Sequence, residues 1–148
     1  MQDKMFYIIQ LFGFGAFLLS TLSYQFKSQK SMFGIRVGSD LLWSVHYLLL
    51  NAYAPAITVF IAALRTYSVV FVFPQYKKHI ISVAILSVVF ICIFMGIEDI
   101  KNLLPALTAL IYGAATYFHN DYLKSRLLMA SGLAVWICIG VVYQSYAE

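Results

Sequence analysis

The chain has 148 residues, of which 62% are hydrophobic and only 11% charged, with a mean hydropathy of +0.83. A soluble domain is about half apolar and about a quarter charged, and one this short leaves much of its surface in water, so a soluble fold is excluded and lipid must cover the apolar surface. The net charge of +4 does not point to nucleic acid, because the ten Lys and Arg residues are scattered over short connections between apolar runs.

A helical crossing takes about 20 mostly apolar residues, so the length accommodates about six. The first is predicted over about Phe6–Tyr24; Lys4 is the only basic residue before it and no small-residue cleavage pattern accompanies it, so a retained span is expected and not a signal peptide. Gly13 and Gly15 leave room there for close approach of another helix. After the polar stretch QFKSQKS, the second span covers about Phe33–Asn51. At about 100° per residue, Arg36, Asp40, Trp43, Ser44, Tyr47 and Asn51 fall within a third of its circumference. That polar and aromatic stripe should face protein or water. His46 points about 120° away from Asp40 on the same wheel and so addresses a different neighbour.

The third span covers about Ala54–Phe73 and gathers Ala54, Thr58, Ile61, Ala62, Arg65 and Ser68 on one face, before Pro74 breaks the chain and Gln75–His79 forms a polar loop. The fourth, about Ile80–Gly96, is dominated by β-branched residues and reads as a spacer or lipid-facing helix. The loop with Glu98, Asp99 and Lys101 leads to the fifth span, about Leu103–Phe118, with Pro105 near its start. The segment from His119 to Arg126 reads as a loop, and Leu127–Tyr143 as the sixth span. Cys92 and Cys138 both lie inside apolar runs and are expected to be core thiols.

The first, third and fifth connections hold Lys27, Lys30, Arg36, Lys77, Lys78, Lys124 and Arg126, while the opposite side has only Lys4 and Lys101. The basic side is expected to be cytoplasmic, which puts the N-terminus outside.

Shifting the chain by 93 residues lays Leu11–Tyr53 on Leu104–Tyr146 without a gap, and the only two tryptophans, Trp43 and Trp136, coincide. Spans one and two then match spans five and six in the same orientation. Parallel repeats about an axis along the membrane normal are a transporter design, used in the SWEET sugar carriers. The expected fold is an all-α membrane protein of about six transmembrane helices with a SWEET-like parallel repeat, its final helix missing. It divides into a first three-helix bundle (1–73), a linker helix (79–97) and an incomplete second bundle (103–148).

The segment HYLLLNAYAPAITVFIAALRT, His46 to Thr66, resembles the YgjV-type bacterial inner-membrane protein family, as does LLPALTALIYGAATYF, Leu103 to Phe118. The resemblance implies a bacterial inner membrane and little chemistry.

An ionisable group inside a span costs about 2.5–3.5 kcal/mol on insertion scales and marks a functional site by default. Asp40 lies seven residues from the cytoplasmic end of span two and Arg65 eight from that of span three, roughly 10 and 12 Å deep at 1.5 Å per residue. An Asp40–Arg65 ion pair with Arg36 nearby is therefore expected, either as a structural clamp or as a cytoplasmic gate or proton-linked switch. His46 could relay protons near neutral pH or sit neutral on a backbone carbonyl. Trp43 and Trp136, with Tyr47 and His46, are the candidate solute-binding residues, through stacking on a flat or sugar-like solute or as ordinary helix packing. Asn51 and Gln144 read as interfacial.

No phosphate loop, activated nucleophile, paired catalytic carboxylates or metal-ligand spacing is present. No catalytic residue, metal or cofactor is expected. The reading is a small-solute transporter or binding protein of the inner membrane, with lipid and a small polar solute as partners and a homodimer as its assembly. The alternative is a non-transporting accessory or sensor protein that binds a partner through its helices. A water-accessible cavity lined by Asp40, Trp43 and Trp136 favours the first; a dry seam favours the second.

Overall fold

The computed structural model describes residues 2–96 and 100–143, and among these every regular element is helical. The order is α1 (Gln2–Ser23), α2 (Gln29–Leu49), α3 (Tyr53–Tyr67), α4 (Lys77–Phe94), α5 (Ile100–Tyr117) and α6 (Tyr122–Tyr143). Glu98, Asp99, Gln144 and Tyr146 lie outside the described residues, as do the side chains of Lys4 and Lys101.

Local chemistry sets the helix ends. Ser28 caps α2, its Oγ accepting the Ser31 N–H at 3.4 Å. The sharp turn into α3 uses Asn51 at φ 58°, a left-handed conformation that asparagine tolerates better than most residues. α3 continues through a π-helical turn, Ser68–Val72, and then a 3₁₀ turn, Pro74–Tyr76, that leads into α4. Asp121 starts α6, its Oδ1 accepting the Lys124 N–H at 3.1 Å. This cap places Tyr122–Arg126 in the helix, where the sequence reads as loop. α5 likewise begins at Ile100, so Pro105 sits inside the helix and not in its first turn.

Among the described residues, four helical stretches are long and apolar enough to cross a membrane: Phe6–Ser23, Tyr53–Val72, Pro74–Phe94 and Tyr122–Tyr143. α2 falls short in apolarity because it carries the ionic stripe, and the apolar part of α5, Leu103–Tyr117, falls short in length.

α3 is the central helix and packs on α2, α4 and α5; α1 packs on α2, and α6 on α5. Lipid tails are as apolar as leucine, so close packing and hydrogen bonds hold such helices together. One close approach depends on Gly132. A Cβ there would lie 2.6 Å from Cε2 of Tyr112, so the α5 tyrosine lies directly against the α6 backbone. Met32, Phe33, Val70, Tyr112, Ala115 and Met129 form one core cluster, and Tyr47, Ala52, Ala56, Val59 and Ile139 another. The outer faces are apolar, as with Val83, Leu86, Phe90 and Phe94 of α4. A soluble monomer rarely exposes so continuous a patch. Cys92 is buried, but Cys138 faces outward on α6, so only one of the two is a core thiol.

The α1–α2, α3–α4 and α5–α6 connections meet at one end of the bundle. Arg126 donates to the carbonyls of Tyr24 at 2.7 Å and Phe26 at 2.8 Å. Lys77 donates to the Tyr117 carbonyl at 3.4 Å and lies 4.5 Å from the centre of the Tyr117 ring.

Candidate functional site

The stripe of α2 turns inward: Arg36, Asp40, Ser44 and Tyr47 are buried, Trp43 is half-buried, and Asn51 alone stays exposed at the turn. Each inward group has a partner. Asp40 Oδ1 lies 3.1 Å from Arg36 Nε, one turn earlier on the same helix. Arg36 Nη1 donates to Ser20 Oγ and Nη2 to Tyr112 Oη, both at 3.3 Å, and the guanidinium carbon is 5.2 Å from the centre of the Tyr112 ring. Ser20 Oγ shares a 2.6 Å hydrogen bond with Ser39 Oγ, which also donates to the Ala16 carbonyl. Ser44 donates to the Ala56 carbonyl of α3. α1, α2 and α5 thus converge on one guanidinium.

Arg65 is also buried, but it makes no direct ion pair with Asp40. Its Nη1 reaches the Ala109 carbonyl of α5 at 3.5 Å and its Nε has no hydrogen-bond partner. It remains within electrostatic range of Asp40 and Tyr112. Among the described residues the buried interior of the spans therefore holds two arginines and one carboxylate, and arginine stays protonated in proteins.

Arg36 and Asp40, but not Arg65, border a cavity of about 140 Å³, room for on the order of ten waters at about 10–15 Å³ each. Arg36, Asp40, Ser20, Tyr24 and Tyr112 form its polar end, and Trp43, Tyr47, Val59 and Trp136 line its apolar wall. The lining residues that are exposed are Phe17 and Thr21 of α1 and Leu133 and Ile137 of α6. The mouth therefore opens sideways, between α1 and α6. Tyr47, fully buried, bridges the two indoles: its ring stacks on Trp43 at 5.9 Å and tilts by 31° against Trp136 at 5.5 Å. The slot pictured between facing tryptophans is thus occupied by a tyrosine, and space for a solute lies beside the trio.

His46 is fully buried and does not line this cavity. The Ile9 carbonyl can only accept, so His46 Nδ1 carries the proton and donates to it at 2.8 Å. The imidazole also meets Trp43 and Tyr47 edge-on at 5.4 and 5.5 Å. No three His, Cys, Asp or Glu side chains among the described residues come together as metal ligands.

Tyr24, Ser20, Thr108 and Tyr112 enter the site without being singled out by the sequence, whereas Thr58 belongs to the small-residue face expected on span three. Their signal is weak but present: Tyr24 follows Ser20 by four residues, just past the end of α1, and Thr108, Tyr112 and Thr116 recur at intervals of four in α5.

Fold and site define a membrane-embedded helical protein with a mostly apolar pocket among its helices that is charged at one end. The profile of the Imp-YgjV family, described as a bacterial inner membrane protein, matches residues 7–147. The chain belongs to this family and is a protein of the bacterial inner membrane. No curated protein and no solved structure matches it.

Proposed function

We propose that the chain binds a small polar solute in the cavity beside Trp43, Tyr47 and Trp136, as a transporter or solute-binding protein and not as an enzyme. One observation carries the reading: Asp40, Trp43 and Trp136 line a single cavity and not a closed seam. A buried ion pair is costly to desolvate, and beside an opening it is placed to recognise a solute. The same arrangement is compatible with a parallel repeat that brings Trp43 and Trp136 to one place.

Six crossings belong to this proposal. The 21 residues of α2 measure about 31 Å at 1.5 Å per residue, close to a bilayer core of about 30 Å, and its ionic stripe is turned inward. The basic connections gathered at one end support a cytoplasmic placement of that end and a periplasmic N-terminus. In intact cells a cysteine at Ser28 should then be shielded from an impermeant thiol reagent and one at Tyr53 should react. The proposed assembly is a homodimer with α6 near the seam, and the outward-facing Cys138 tests it directly, because oxidation should link two copies.

The solute reading is tested by a thermal-shift screen of small polar solutes on the purified protein in detergent. A saturable stabilisation that Trp43→Ala or Trp136→Ala removes supports it. Failure of every solute, in protein that melts cooperatively, favours the accessory reading, in which a membrane partner takes the mouth between α1 and α6.

A further inference from the structure

We propose that the ligand of this cavity is a monocarboxylate with a ring-sized apolar body, its carboxylate held by Arg36 and Tyr24 and its body laid against the aromatic wall; this rests on the solute-binding reading above.

Three features of the polar end point to an anion. The first is charge: Arg36 and Arg65 are opposed only by Asp40, which leaves one positive charge uncompensated in the buried interior of the spans. An unpaired buried charge is strongly unfavourable, and a bound monoanion removes it. The second is unused donors. Tyr24 lines the cavity, and its Oη is buried without a hydrogen-bond partner. Arg36 Nη1 and Nη2 reach only neutral hydroxyls, each at 3.3 Å, longer than the 2.7–2.9 Å usual for a guanidinium on a carboxylate. Tyr112 Oη accepts from Arg36, so its own proton is also available. The third is the scarcity of anionic acceptors: among the described residues Asp40 is the only anionic group on the lining, and its Oδ1 is already engaged by Arg36. A cationic ligand would meet one occupied carboxylate beside Arg36, with the charge of Arg65 behind the wall and within electrostatic range of Asp40.

The other end fixes the body. Trp43 and Trp136, held by the buried Tyr47 between them, offer aromatic surface beside Val59, Leu133 and Ile137, and the volume of about 140 Å³ suits one ring and not a disaccharide. The sideways mouth between Phe17 and Ile137 also allows an acyl tail to leave toward lipid. A soluble aromatic acid and a fatty acid share the chemistry, and the experiment separates them.

Both tryptophans of the chain line the cavity, so their emission reports occupancy without a label. The full chain in detergent is titrated with benzoate, benzyl alcohol and benzylamine, which share a ring and differ in charge, and with decanoate as the acyl probe. Benzoate is expected to change the emission saturably, with a dissociation constant at least about 10-fold below those of the alcohol and the amine. Tyr24→Phe removes only a hydroxyl that has no partner, so the variant keeps its melting temperature. It is expected to weaken benzoate by about 10-fold or more, the range for a hydrogen bond to a charged group, and to leave benzyl alcohol unchanged. Arg65→Gln should weaken benzoate as well. Decanoate binding more tightly than benzoate, with the same Tyr24→Phe loss, supports the inference and identifies the lipid phase as the source; benzoate binding more tightly supports it with a soluble source. Benzyl alcohol or benzylamine binding as tightly as benzoate overturns the anion inference and leaves the solute cavity standing. No saturable change with any of the four probes overturns both.

Discussion

The Asp40 carboxylate is the group whose removal most sharply tests the buried network. Its Oδ1 lies 3.1 Å from Arg36 Nε. With about 4 Å between charge centres and an effective dielectric constant of about 20, their attraction is about 4 kcal/mol. Asp40→Asn strands Arg36 and Arg65 together without a counter-charge, and breaking a buried pair in this way costs about 3–5 kcal/mol. Arg36→Gln should cost a comparable amount, because it also releases Ser20 and Tyr112. The double variant should lose less than the sum, with a coupling of about 1–3 kcal/mol. For Asp40 with Arg65 the coupling should be smaller, since those side chains make no direct ion pair. Unfolding in mixed micelles with rising SDS fraction, followed by the emission of Trp43 and Trp136, supplies each corner of both cycles. Additive losses for Asp40 and Arg36, or a larger coupling to Arg65, would refute the assignment of partners.

Gly132→Ala places a methyl 2.6 Å from the Tyr112 ring, which cannot retreat without leaving Arg36; a loss of about 1–3 kcal/mol is expected in the same unfolding assay, partly relieved by Tyr112→Leu. Burial holds the loop imidazole of His119 below its ordinary value, and the nearby Lys77 adds to the effect. The unfolded chain therefore binds this proton first, so the contribution of His119 is complete above about pH 6.5 and declines as pH falls below it. Melting temperatures between pH 7.5 and 5 should fall less steeply in His119→Phe. Arg126→Ala removes two hydrogen bonds of a charged donor to the α1–α2 connection, so amide exchange over residues 24–28 should rise by about 10-fold or more.

Much of the helical layout is legible in the sequence, because a run of apolar residues long enough for lipid needs little else to declare itself. The boundaries moved where a side chain decides them, as at Asp121, whose cap draws Tyr122–Arg126 into α6. The inward stripe of α2 is legible for the same reason as any amphipathic face: its polar residues recur at the helical period. The partner of Asp40 is not, because matched depth on two helices says nothing about side-chain direction, whereas Arg36 at four residues' distance is always within reach. Tyr112 is not legible either, because a tyrosine in an apolar helix is ordinary; what marks it is Gly132, 20 residues later on another helix. Nor does the pairing of Trp43 with Trp136 under the 93-residue shift reveal that Tyr47 lies against both.

The central claim is that the α2 stripe borders a cavity that solutes enter. In a variant with Cys92 and Cys138 changed to serine, single cysteines are placed at Thr58, on the cavity wall, and at Ala63, buried in the same helix away from it. The rate of modification by a small water-soluble methanethiosulfonate reagent is then measured for each in detergent. The cysteine at Thr58 is predicted to react at least about 10-fold faster than the one at Ala63, as an open cavity with a charged end holds water and a packed interior does not. Equal, slow rates at the two positions would make the stripe a dry seam and contradict it.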